Sequence, residues 1–128
     1  MFEKSLTKQI QIEVQSSFVS EHSQPDQDRY FFKYLIQIRN LGQHPVQLLS
    51  RHWVITDGQG RIEEVRGPGV IGQQPTIAPG ESFQYESYCP LTTPTGTMRG
   101  TYQMAHQDGS QFDVQIPLFF LVEPSSYH

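Results

Sequence analysis

The chain predicts an all-β domain, an antiparallel sandwich or barrel, and three observations carry that. Roughly eight or nine short runs of strand type follow one another at regular spacing. Turns of Gly and Pro punctuate them. Six Tyr and eight Phe favour strands, and no stretch carries a helical signal of ordinary length.

Ile10, Ile12, Val14 and Phe18 alternate with Gln11, Glu13 and Gln15, the pattern of a half-buried strand. Glu21 to Asp28 is polar and contains Pro25, so an exposed loop follows. Over Tyr30 to Arg39, Phe31, Leu35 and Ile38 would also suit a helix face. The density of Tyr, Phe and Ile decides for a strand, central and covered on both faces. Asn40 to Pro45 turns the chain, and Val46 to Thr56 is a long strand or two, with a bend near Ser50.

Asp57-Gly58-Gln59-Gly60 between Ile55 and Ile62 is a hairpin signal, because Gly tolerates positive φ. Arg61 to Arg66 returns as a charged strand suited to a sheet edge, and Gly67 to Pro75 is a loop. Ala78-Pro79-Gly80 predicts a type II turn. Phe83, Tyr85, Tyr88 and Cys89 form the next strand, and Thr97 to Met104 the one after. Asp108-Gly109 turns the chain into Phe112, Val114 and Ile116, and a last strand covers Leu118 to Val122. The expected unit is one domain over 1–128, with an ordered core of about 5–122 and a frayed tail over 123–128.

Composition narrows the function. Thirteen acidic against nine basic residues give a formal charge of −4. That opposes a general nucleic-acid binder, which needs a basic face, and docking on anionic membranes. A single Cys forms no internal disulfide or Cys-based zinc site, and a reducing compartment is the simpler reading. The N-terminal segment lacks an apolar core of signal-peptide length, and no apolar run approaches a membrane span. The expectation is a cytoplasmic protein.

Several words in the chain resemble the ApaG family. They are His52-Trp53-Val54-Ile55-Thr56-Asp57-Gly58, Glu64-Val65-Arg66-Gly67, Gly69-Val70-Ile71-Gly72, Ala78-Pro79-Gly80-Glu81, Cys89-Pro90-Leu91 and Gly100-Thr101-Tyr102-Gln103-Met104. The resemblance covers most of residues 5 to 122. It selects the sandwich over the barrel and implies an immunoglobulin or fibronectin type III-like fold. It also implies a recruiting module, since ApaG domains occur appended to F-box substrate adaptors. Bacterial members are associated with cobalt resistance, magnesium efflux and neighbourhoods containing diadenosine tetraphosphate hydrolase. Ile77 to Phe83 resembles the turn before a fibronectin tyrosine corner, with Phe83 in place of the Tyr and so without its hydroxyl.

Gly67-Pro68-Gly69-Val70-Ile71-Gly72 fits the G-x-G-x-x-G pattern of dinucleotide sites. That pattern works by leading into a helix N-terminus, and Gln73-Gln74-Pro75 follows instead. The glycines therefore read first as backbone geometry. The alternative is a small-ligand site in which Gly67, Gly69, Val70, Ile71 and Gly72, aided by Arg66 or Arg61, hold a nucleotide polyphosphate or pyrophosphate on backbone N–H groups.

Glu63 and Glu64 are strand neighbours on opposite faces, which suits a solvated edge better than an acid–base pair. Cys89 in an aromatic strand reads as core. Five His at 22, 44, 52, 106 and 128 show no ligand spacing; His106 and Asp108 read as a hairpin tip. Trp53, the only Trp, reads as core between the sheets. No catalytic residue, metal or cofactor is expected.

Ile116-Pro117-Leu118-Phe119-Phe120-Leu121 resembles an I-P-x-F-x-L ending of ApaG domains. Phe119 and Leu121 then face the core and turn Leu118 and Phe120 outward, at positions the family usually fills with polar residues. Exposed Leu118 and Phe120 would mark a contact surface. The expected role is a non-enzymatic interaction module that binds a protein partner or forms a homodimer.

Overall fold

In a computed structural model, residues 1–126 are described and build two antiparallel sheets packed face to face. The strands are β1 (Phe2–Thr7), β2 (Ile10–Phe18), β3 (Tyr30–Asn40), β4 (Val46–Asp57), β5 (Ile62–Pro68), β6 (Thr76–Ile77), β7 (Ser82–Leu91), β8 (Thr95–His106) and β9 (Gln111–Val122). One sheet has the order β1-β2-β3-β7; the other has β5-β4-β8-β9, with β6 also on β4. Between them lies one aromatic-rich core. Trp53 sits at its centre, with its ring centroid 5.5 Å from Tyr34, 5.9 Å from Phe119 and 6.5 Å from Tyr102.

The turns follow the local sequence where Gly supplies positive φ. In the Asp57–Arg61 and His106–Ser110 hairpins, an Asp carboxylate accepts backbone N–H groups and a left-handed glycine, Gly60 or Gly109, closes the loop. Gly80 takes φ +80° in the predicted type II turn. The corner beside it is knitted by buried Asn40. Its Nδ2 donates to His44 O (2.8 Å) and Ile77 O (3.0 Å), and its Oδ1 accepts from Gly42 N–H (2.9 Å). Asn40 thus supplies a side-chain tie beside a corner whose Phe83 has no hydroxyl.

Bulges set the side-chain phase of two strands. In β4 the register shifts between Leu48 and Ser50, so Leu48 and Trp53 both face inward despite their odd separation. In β9 the register shifts opposite Arg99, where Pro117 and Leu118 stand against one residue of β8. Pro117 has no N–H to give a ladder, and a bulge is where a strand accommodates it.

Four expectations need correction. β3 is central but buried on one face only: Phe32, Tyr34, Ile36 and Ile38 point in, while Lys33, Leu35 and Gln37 stay half-exposed, as an antiparallel sandwich allows. Residues 2–7, for which the sequence predicts no strand, form β1. Gly67 and Pro68 belong to β5 rather than to a loop. The strands expected over 112–116 and 118–122 are one strand, β9, continuous through its bulge. Of the tail, Pro124–Ser126 forms a short 3-10 turn; Tyr127 and His128 lie outside the described residues.

Candidate functional site

The bulge at Pro117 is what exposes two large apolar side chains. Before it Phe112, Val114 and Ile116 point inward; after it Phe119 and Leu121 do. Strict alternation from Ile116 would have buried Leu118 and Phe120. They are instead 44% and 45% exposed. Phe120 stands between two hollows. One, of about 520 Å³, is lined by Met1, Thr56, Gly96, Thr97 and Val122. The other, of about 400 Å³, is lined by Met1, Phe18, Val122 and Pro124.

Backbone fixes this surface. Ser16 Oγ donates to Phe120 O at 2.8 Å. Thr97 is the β8 partner of Phe120, and Gly96 of Leu121. A Cβ on Gly96 would come within 2.7 Å of Thr56 O, so the hollow keeps its floor only with Gly there. Met1, Phe18, Gly96 and Val122 were not legible as site residues. They come from four strands or strand ends, and only the pairing register brings them to Phe120.

The glycine-rich segment is a second hairpin. Val70 and Gln73 exchange N–H donors to each other's carbonyls at 2.9 Å. Ile71 (φ +43°) and Gly72 (φ +78°) form the tip between them, as in a two-residue turn with both central residues left-handed. Gly69 N–H donates to Leu49 O at 2.8 Å. Arg51 Nη1 donates to Pro68 O (3.0 Å) and Gly69 O (2.9 Å). The amides of Gly69 and Val70 are thus engaged inside the protein. A Cβ on Gly69 would lie 2.1 Å from Gln73 O, which accounts for that glycine without a ligand. Arg66 extends toward Glu64 (3.9 Å) and Arg61 pairs with Asp57 (2.9 Å) at the far end of β5.

The remaining candidates are placed singly. Glu64 accepts His52 Nε2 at 2.8 Å on the outer face, while Glu63 registers with Ile55 on the opposite face of β5. Cys89 is buried among aromatic and aliphatic side chains. Burial first, and then the negative charge of Glu63, push its thiol up to about 12. It is protonated at neutral pH and a poor nucleophile. Tyr34, Tyr85 and Tyr102 are raised too, chiefly by burial, and the Tyr85 and Tyr102 hydroxyls bond to each other. Asp108 is held low by Ser110, whose hydroxyl and N–H both donate to it, and His106 stacks on Phe112 with centroids 4.4 Å apart. His22 packs edge-on to Phe31; His128 lies outside the described residues. Among the described residues, no three His, Cys, Asp or Glu side chains gather as metal ligands would, and no helix is long and apolar enough to cross a membrane.

Known proteins resemble this chain along its length. The family model described as the ApaG domain matches residues 20–106. Protein ApaG of Dechloromonas aromatica is 53% identical over 124 residues, covering 95% of this chain and 98% of that one. Protein ApaG of Bordetella pertussis is 51% identical, covering 93% of this chain and 91% of that one. A solved structure described as an ApaA protein from Bordetella pertussis superposes with a TM-score of 0.88 at 52% identity, over 90% of this chain and 94% of that one. The C-terminal domain of wzt shares the fold alone, at TM-score 0.55 and 8% identity.

Proposed function

The chain belongs to the ApaG domain family, and from that premise we propose that it is a non-enzymatic interaction module whose contact surface is the apolar ridge at Leu118 and Phe120. One observation carries this reading: the Pro117 bulge turns two large apolar side chains outward, and hollows flank the second of them. Burying such a ridge in a partner removes apolar area worth about 25 cal/mol per Å², and exposed apolar side chains mark a contact site where they are contiguous, as Phe120 is with exposed Met1 along both hollows. On this reading the association with cobalt resistance and magnesium efflux runs through the bound protein. The single buried thiol suits a reducing, cytoplasmic setting. The phosphate reading of residues 66–72 ranks second, because the amides of Gly69 and Val70 are already engaged.

The test replaces both side chains, Leu118→Lys with Phe120→Lys, in an untagged chain. Affinity capture on the immobilised wild type from a native lysate is expected to retain proteins that the double variant loses, with the thermal midpoint unchanged. Light scattering on the same samples separates a homodimer from a foreign partner. Equal retention by both forms, with both monomeric, overturns the reading.

A further inference from the structure

Four strands end the two sheets, and three of their outer edges are guarded. β1 and β9 lie against each other and are laced by side chains: Ser5 Oγ donates to Gln115 O at 2.7 Å and Gln115 N–H donates to Thr7 Oγ1 at 3.2 Å. β5 carries Glu63, Glu64 and Arg66 within seven residues, and mixed charge of this kind discourages a second strand. β7 has neither lacing nor mixed charge, and carries Pro90 only near its end. Its ten residues pair with β3 on one side only, over Ser82 to Leu91. Its one charged residue, Glu86, is already tied to Lys33 at 3.4 Å. Among the described residues no other element bonds to the backbone groups on its free side.

We propose that the free edge of β7, separate from the Phe120 ridge, takes an extended segment of another protein as an added strand, and that this segment alternates apolar with basic residues. Unpaired N–H and C=O groups recognise an extended main chain and supply the affinity, while pockets for alternate side chains supply the choice of sequence. Two hollows meet at Pro90, Leu91 and Thr92. One, of about 380 Å³, is walled by His22, Asp28, Arg29, Tyr30 and Phe31, and its mainly apolar wall accepts an apolar or aromatic side chain. The other, of about 300 Å³, opens between the sheets beside Ile55, Arg61 and Glu63. Successive side chains of an added strand alternate between the two sides.

Charge completes the assignment. Arg61 is held by Asp57, whereas among the described residues Glu63 has no ion-pair partner within 4.0 Å. The inter-sheet hollow therefore prefers Lys or Arg, and the formal charge of −4 attracts a basic segment over distance. A second copy of this acidic chain fits less well, since self-pairing of β7 sets one Glu86 near another. Pro90 offers no N–H, so main-chain pairing runs over Ser82–Cys89 and the end of the added segment passes Pro90 to reach the two hollows.

The experiment selects random peptides displayed on phage against the intact chain, then maps synthetic copies of the enriched ones by amide hydrogen exchange. Apolar–basic alternation is expected. The bound peptide should slow exchange of β7 amides between Gln84 and Cys89 about tenfold, with the amides of Leu118 to Phe120 unchanged. Glu63→Gln should weaken binding by up to about fivefold at an unchanged melting midpoint. Enrichment of acidic or unpatterned peptides, protection at β9 instead, or no peptide enriched at all overturns the proposal. A doubling of mass with β7 protected in the absence of peptide overturns it in favour of a second copy.

Discussion

Ile71 occupies a backbone region that β-branched residues rarely enter, with φ +43°, and its side chain is 54% exposed. The left-handed conformation costs an L-residue about 1–2 kcal/mol, and an exposed tip returns little burial. Ile71→Gly is therefore expected to raise stability by up to about 1 kcal/mol, after the larger entropy lost by Gly is subtracted. A urea melt of the two forms checks it, and a loss of stability would show that the isoleucine makes a contact worth more than its strain. Gly69→Ala runs the other way, because its Cβ would collide with Gln73 O. The sequence showed that Gly67 to Gly72 needed glycine. It did not show that the need arises in a hairpin with an isoleucine at the tip, since nothing in Val70-Ile71 signals positive φ.

Four buried groups give the protein an alkaline limit. Cys89 is raised from 9.0 to about 12, and Tyr34, Tyr85 and Tyr102 are raised above 10.0. A raised value means the folded state holds its proton more tightly than the unfolded chain does. The stability tied to that proton is complete below the unfolded value and is lost as pH climbs toward the folded one. The urea midpoint is expected to fall steadily from about pH 9 to about pH 12, and Cys89→Ala should make the fall shallower. A flat midpoint across that range would mean these groups ionise in place.

At the scale of elements, alternation located most strands and failed where backbone geometry changed the phase. The bend expected near Ser50 is the β4 bulge. β1 escaped because its hairpin turns on Lys8 and Gln9, both at positive φ, with neither Asn nor Gly to announce the turn. The family pattern set Phe119 and Leu121 inward and the period of two then turned Leu118 and Phe120 outward; the same period carried from Ile116 fails, because the Pro117 bulge breaks it. Asn40 was legible as a turn residue but not as the buried tie between the β3–β4 turn and β6. Asn40→Ala removes three hydrogen bonds at a buried corner. With unpaired carbonyls and an amide left behind, it should cost about 2–3 kcal/mol by urea melt. A cost below about 0.5 kcal/mol would mean water replaces the side chain.

At the scale of the molecule, composition and spacing showed an antiparallel sandwich or barrel and the family resemblance selected the sandwich, but the sheet order was not legible. Pairing β3 with β7 joins segments on either side of three intervening strands, and no local pattern encodes that choice. The edges depend on sheet order, so apart from β5, whose charge marked it as one, they too were out of reach.

The lacing of β1 and β2 onto β9 bonds residues that lie 110, 108 and 104 positions apart in the chain. Contacts this distant close the longest loops the chain can form, and their entropy is recovered last. The lacing should therefore be unmade in the folding barrier and act as a latch on the finished molecule. Stopped-flow traces of Ser16→Ala are expected to show faster unfolding with the refolding rate unchanged. Slower refolding instead would place the meeting of the first and last strands at the start of the search for the fold.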